Sequence, residues 1–316
     1  MNSLFDTWRP RASQFGYLLT NLPEKFTSDD VIKMNDLTGE KLTGLNSNGN
    51  KTKWTITKQN EVIKLYNKHK GLDFLPDGAI TKLEEIFDAV FWKRKKNIDN
   101  DYVKKGIANE QDSFSILSEI DGTFYGSNNE FIQNEYVCGT PDNVINKVID
   151  LKTSYDYFTF KKSKLSDLYK WQIKAYTWIL ISNGEKIDRA GQLCYCLTNT
   201  PDFLIESKRK SIYFSKGLPE FQENKNNDVY FDYIKEISQL EQNHICDIED
   251  FTNKYAGFKL NDQVFRDIPK HMRIKRFDVT LEDSDIEHMI RRSKMCKKWL
   301  LEREQEEIKI INSVNF

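Results

Sequence analysis

Little in this sequence suits disulfides, membranes or structural metals. Five cysteines, an odd number with no Cys-x-x-Cys pair, exclude a disulfide framework and a zinc ribbon. That usage points to a reducing compartment, expected to be cytoplasmic. The four histidines (His69, His244, His271 and His288) are scattered without metal-ligand spacing. No apolar run approaches the roughly 18 residues that a bilayer span needs. The start, Met1-Asn2-Ser3-Leu4-Phe5-Asp6, has neither the basic flank nor the apolar stretch of a secretory signal, so no membrane partner is expected. With 7 Pro and 14 Gly there is no long flexible linker and no internal repeat. No sign of charge dominates either: Lys+Arg 47 against Asp+Glu 48 gives −1. Taken alone, that total speaks against a polyanionic partner.

What the chain does have is length and aromatic bulk. Its 316 residues include 20 Phe, 14 Tyr and 6 Trp, enough to fill a large core and to exclude general disorder. No boundary is evident, so one domain over 1–316 is expected, with a helical part over 1–100, a motif-bearing core over 101–200 and an elaboration over 201–316. Residues 36–53, with Gly39, Gly44 and an Asn/Gly cluster, read as a loop. Helices are predicted over 13–19, 57–69, 79–96, 101–120, 165–182, 228–242 and 282–308 from apolar residues at helical spacing. In the fourth of these, Ile107, Phe114, Leu117 and Ile120 should point inward, and Lys93 to Lys96 should close the third. Strands are predicted over 131–138, 146–153, 190–198 and 273–279, with shorter strand-like pieces at 203–206 and 211–214. The fold class is therefore α/β of the α+β type, a mixed central sheet flanked by helices.

The informative segment runs from Gly139-Thr140-Pro141-Asp142 to Val148-Ile149-Asp150-Leu151-Lys152-Thr153. A strand alternates its faces, so Asp150 and Lys152 share one face while Ile149 and Leu151 point into a core. A turn at Asp142-Asn143 would bring Asp142 alongside Asp150. Two carboxylates converging with one lysine suit a hard divalent cation held beside a phosphate. Glu110 lies four residues after Gly106 on the preceding helix. In Tyr169-Lys170-Trp171-Gln172-Ile173-Lys174-Ala175-Tyr176, Gln172 and Tyr176 share one helical face.

This order of a helical Glu, an Asp, an Asp-x-Lys strand and a Gln-x-x-x-Tyr helix resembles the PD-(D/E)xK nuclease superfamily. Within it, the sequence is similar to phage recombination exonucleases of the lambda exonuclease/YqaJ type and to RecB-like nuclease domains. The resemblance implies a restriction-endonuclease-like core. It also implies a DNA exonuclease that hydrolyses duplex ends and leaves 5′-phosphates, using Mg²⁺ or Mn²⁺, with two ions. By the same resemblance Asp142, Asp150 and the carbonyl of Leu151 hold metal and Glu110 serves a second ion or its water. Lys152 lies beside the attacking water, and Gln172 positions the lysine, the water or the substrate. Arg11 and Ser13 look like the family's early segment that meets a terminal phosphate, with Tyr176 also on the DNA side. Asp150 departs from the pattern, since this subgroup more often has Glu there. Implied partners are double-stranded DNA ends, a single-strand annealing protein and further copies of the chain, in a bacterial host cytoplasm if the gene is phage-borne. An endonuclease or RecB-like repair enzyme is the near alternative, and a non-catalytic DNA-binding or interaction module a more distant one.

Other features carry less. Gly44 to Thr52 is one residue from a phosphate-cradling loop, but the extra Asn50 displaces its lysine. Cys194 and Cys196 lie in an apolar strand and read as packing residues. Charge is unevenly spread: residues 91–105 carry six basic against two acidic residues, 161–174 five against one, and 266–298 ten against six. Residues 220–250 carry nine acids against two lysines. Basic blocks around the motif can neutralise phosphates, and Trp92, Tyr157, Phe158 and Trp171 are candidates for stacking on frayed bases.

Overall fold

The computed structural model describes residues 3–20, 26–70, 74–96, 99–218, 228–258, 260 and 266–314. Parts of the 91–105 and 220–250 charge blocks lie outside them. The chain divides into two compact units. One comprises residues 1–8, 17–94 and 288–316, the other residues 9–16 and 95–287.

A 3-10 turn at Ala12–Gln14 leads into the short helix α1 (Phe15–Leu18). The first unit then holds α2 (Ser28–Thr43), α3 (Ile56–His69) and α4 (Asp77–Val90). Leu83, Phe87, Cys296 and Leu300 are fully buried in its core. The expected loop over 36–53 is helix as far as Thr43 and loop from Gly44 on. A reciprocal cap between Thr27 and Asp30 starts α2, Lys33–Glu61, Lys58–Glu40 and Lys68–Asp30 tie it to α3, and it stops only at Gly44, whose φ is +68°. Helix α4 ends before the basic run, because Phe91 caps it and Lys93 turns to φ +57°. The run therefore closes no helix.

The second unit contains α5 (Asp101–Ala108), α6 (Glu110–Asp121), β1 (Ile132–Gln133), β2 (Cys138–Gly139), β3 (Asn143–Val144) and β4 (Val148–Ser154). It continues through α7 (Tyr157–Lys162), α8 (Asp167–Ser182), β5 (Ala190–Leu197), α9 (Asp202–Ser215), α10 (Asp228–Glu241), α11 (Ile248–Lys254) and β6 (Ile274–Thr280). Helix α12 (Asp283–Val314) begins in this unit and runs on into the other.

The mixed four-stranded sheet has the order β3-β4-β5-β6. Its β4–β5 pairing is parallel and the two outer pairings are antiparallel. Helix α8 is buried from Trp171 to Leu180, and Gly191 of β5 admits the Ile173 methyl where a Cβ would stand only 2.3 Å away. Even Lys174 is buried there, paired with Asp285 at 2.5 Å.

Three further expectations are corrected. The predicted 101–120 helix breaks at Asn109, leaving Ile107 73% exposed while Lys105 is buried in its stead. Residues 131–138 form a separate small hairpin of β1 and β2, and the turn before β4 lies beyond Val144, not at Asp142-Asn143. The two strand-like pieces at 203–206 and 211–214 belong to α9, which buries Leu204, Ile205 and Tyr213.

Candidate active site

The site is built on the β3–β4 pairing. Asn143 stands opposite Ile149 and Val144 opposite Val148, so Asp142, one residue before β3, comes opposite Asp150. The Asp142 carboxylate accepts a hydrogen bond from the Leu151 backbone N–H at 2.8 Å. Lys152 Nζ lies 2.7 Å from Asp150 Oδ2 and 3.6 Å from Asp142 Oδ2. From α8, Gln172 Nε2 donates to Asp150 Oδ1 at 2.7 Å. Four of the residues singled out in the sequence therefore converge, three of them from the β3–β4 hairpin and the fourth from α8.

Their environments differ. Asp150 is fully buried, whereas the Lys152 and Asp142 side chains are 24% and 31% exposed. Burial pushes the Asp150 carboxyl up to about 7, an effect Lys152 opposes and Asp142 reinforces. Burial also works against the Lys152 ammonium, but the two carboxylates overcome it and hold its pKa above the usual lysine value. Asp150 Oδ2 is buried, with the Lys152 ammonium 2.7 Å away. A buried carboxylate oxygen beside a second carboxylate is a donor set that fits a hard divalent cation.

The Gln-x-x-x-Tyr spacing has a steric partner as well as a polar one. One turn after Gln172, Tyr176 is 4% exposed and packs over Gly139, where a Cβ would stand 2.7 Å from the ring. Its hydroxyl is pushed up to about 12, chiefly by burial and then by the charges of Asp150 and Asp142. Arg11 and Lys152 act on it in the opposite sense, so Arg11 is within electrostatic reach of this group. The Arg11 backbone forms a β-bridge with Cys138 of β2, and both Arg11 and Ser13 are exposed.

Asp142, Leu151 and Lys152 open onto a cavity of about 480 Å³, with Gly106 and Glu110 on another part of its wall. Glu110 thus shares the cleft, but among the described residues no three carboxylate, His or Cys side chains stand close enough to form a ready-made metal cluster. Gly106 would meet nothing within 4 Å if it carried a Cβ, so the cleft is open beside it. Tyr169, also on the wall, was not singled out as a site residue. Its ring centroid is 5.2 Å from the Lys152 ammonium, and its place three residues before Gln172 was the available signal. Of the stacking candidates, Trp171 is buried and Phe158 is half exposed.

No family profile matches the chain, and no curated protein matches it. Among solved structures, a phage-related exonuclease from Haemophilus somnus 129PT superposes with a TM-score of 0.55 at 16% identity, over 95% of this chain and 97% of that one. The chain has the fold of that exonuclease. An alkaline exonuclease from Laribacter hongkongensis matches with a TM-score of 0.44 at 10% identity, over 77% of this chain and 90% of that one. The mixed α/β architecture expected from the sequence is thereby found, within a fold that spans nearly the whole chain. Among the described residues no helix is long and apolar enough to cross a membrane.

Proposed function

We propose that this protein is a divalent-metal-dependent DNA exonuclease that hydrolyses duplex DNA from its ends and leaves 5′-phosphates. The observation that carries the reading is the convergence of Asp142, Asp150, Lys152 and Gln172 at one cleft. Asp142, Asp150 and the Leu151 carbonyl would hold Mg²⁺ or Mn²⁺, with Glu110 serving a second ion or its water. Such ions, when bound, polarise the scissile phosphate and lower the pKa of water. The protein's own residues do the rest. Gln172 fixes the orientation of Asp150 through its amide, and the two carboxylates keep Lys152 cationic. From there the ammonium orients the attacking water and stabilises charge developing on the phosphate. Arg11 and Ser13, both exposed, are assigned to the DNA side of the same reading, whereas Tyr176 is buried and packs against Gly139. A single-strand annealing partner, self-assembly and a cytoplasmic location are further parts of the proposal.

The test is Mg²⁺-dependent digestion of linear and closed-circular duplex DNA. Loss of linear DNA alone is the expected result. Loss of both identifies an endonuclease, and loss of neither sinks the catalytic reading. Lys152→Ala should reduce cleavage by at least about a hundredfold, the scale of losing one charge-stabilising donor, while DNA binding survives. Near-wild-type cleavage by that variant would remove Lys152 from the chemistry.

A further inference from the structure

The short span that leads into Glu110 is pinned at both ends by buried polar side chains with no part in the chemistry above. Lys105, one residue before Gly106, is fully buried. Its ammonium donates to the carbonyl of Tyr155, the carbonyl of Thr198 and the hydroxyl of Thr200, each at 2.8 Å. Tyr155 directly follows β4 and Thr198 directly follows β5. One side chain therefore ties α5 to the carboxyl ends of the two parallel strands, the end of the sheet to which β4 delivers Lys152.

None of these three partners is charged, and burying an ammonium without a countercharge costs more than burying an apolar chain of the same length. Packing alone would be better served by Met or Leu. Burial holds the Lys105 pKa down to about 8. The other end of the span is held by Asn109, which is 3% exposed. Its amide donates to the Asn199 carbonyl and to Asp112 Oδ2, both at 3.0 Å. Residues 198, 199 and 200 thus supply anchors at both ends of the Lys105–Asn109 stretch that leads into Glu110. Glu110 itself is exposed and lies on the cleft wall with Asp142, Leu151 and Lys152.

Resting on the nuclease reading above, we propose that Lys105 and Asn109 are positioning residues. They fix the α5–α6 junction to the ends of β4 and β5, so that Glu110 is presented to the cleft in the place where it serves the cation site. The role is indirect, through Glu110, and it makes a specific demand: removing Lys105 must matter only while Glu110 is present.

The experiment is a double-mutant cycle on the full chain with Lys105→Met, Glu110→Gln and the pair. Two quantities are read: Mn²⁺ affinity without DNA, from the electron paramagnetic resonance signal of free Mn²⁺, and the Mg²⁺ concentration for half-maximal digestion. Lys105→Met should weaken Mn²⁺ binding and raise the Mg²⁺ requirement about tenfold, the lower end of what residues supporting a metal ligand usually contribute. KM for DNA should change little, and in the Glu110→Gln background Lys105→Met should add nothing. If Lys105→Met does not fold, judged by its melting curve, Asn109→Ala runs through the same cycle with the same expectation. Effects that add fully in the double variant, or a Glu110→Gln variant indistinguishable from wild type, overturn the positioning role. A wild-type chain that binds no Mn²⁺ and digests no DNA overturns the nuclease reading and this proposal with it, so the two failures are told apart.

Discussion

Gly139 shows how far a single residue governs the site. The Tyr176 ring occupies the space a side chain would take there, since a Cβ would stand only 2.7 Å from it. Tyr176 is one helical turn from Gln172, which holds Asp150, so displacing the ring disturbs that carboxylate. Gly139→Ala should destabilise the protein by about 1–3 kcal/mol, the usual cost of overpacking, and lower cleavage in parallel. Urea unfolding checks the first part, and an unchanged midpoint would mean that the ring yields freely. The residues of this site were legible in the sequence because their spacing is periodic: Asp150 and Lys152 on one strand face, Gln172 and Tyr176 on one helix face. Lys105 was not. A lysine among polar neighbours on an amphipathic helix has the signature of a solvated residue, and only the close of β4 and β5 around it reveals three carbonyl and hydroxyl partners.

At the scale of elements, the long and strongly periodic pieces were readable. Helix α8 was predicted over 165–182 and spans Asp167–Ser182, and β5 and β6 lie within a residue or so of expectation. Short pieces failed for physical reasons. The apolar pairs at 203–206 and 211–214 look like strands when taken four residues at a time, yet they lie eight residues apart on one face of α9. The Asn109 break goes with its side chain reaching the Asn199 carbonyl, a tertiary contact no local pattern announces.

The same 198–200 loop joins the end of β5 to the residues after α10 through His244. Thr200 Oγ1 lies 3.0 Å from His244 Nδ1, the Thr200 N–H donates to the His244 carbonyl at 2.7 Å, and the ring is 2% exposed. Burial, followed by the charges of Lys208 and Lys105, lowers the His244 pKa to about 4 from an ordinary 6.5, while Asp156 acts weakly the other way. Between those values the unfolded chain binds the proton and the folded one does not. Stability is therefore fully present above about pH 6.5 and falls as the pH drops toward 4, by on the order of 3 kcal/mol from this group. His244→Asn, which can keep a polar partner near Thr200, should flatten that stretch of the pH–stability curve. Denaturant midpoints measured across pH 4–7 on both proteins decide it, and parallel curves would assign the acid sensitivity elsewhere.

Over the whole molecule, a total of −1 conceals where charge is spent. Within the described part of the acidic 220–250 segment, Glu241 pairs with Arg209 and Lys254 at 2.5 Å, Glu236 with Lys216 at 2.6 Å, and Asp247 with Arg273. Those acids are matched by neighbouring cations, so they add little repulsion toward a polyanion. Part of the basic count is matched too: Lys270 pairs with Glu119 and Arg276 with Asp121, both at 2.6 Å. Lys161, Lys162 and Lys164 differ, being exposed and without an ion pair among the described residues. They follow Thr159 and precede Tyr169, two residues on the cleft wall, which makes them the best placed to meet a DNA backbone entering it. Each phosphate neutralised releases condensed counterions, so duplex affinity should fall with salt at a slope of about −0.9 per contact. Lys161→Ala combined with Lys162→Ala should make that slope shallower by about 1.8 and weaken binding at low salt, whatever the DNA sequence. Fluorescence anisotropy in EDTA, where no cleavage intervenes, measures both across a salt series. A slope equal to wild type would move the DNA path away from α7, even if Lys152 proved essential for cleavage.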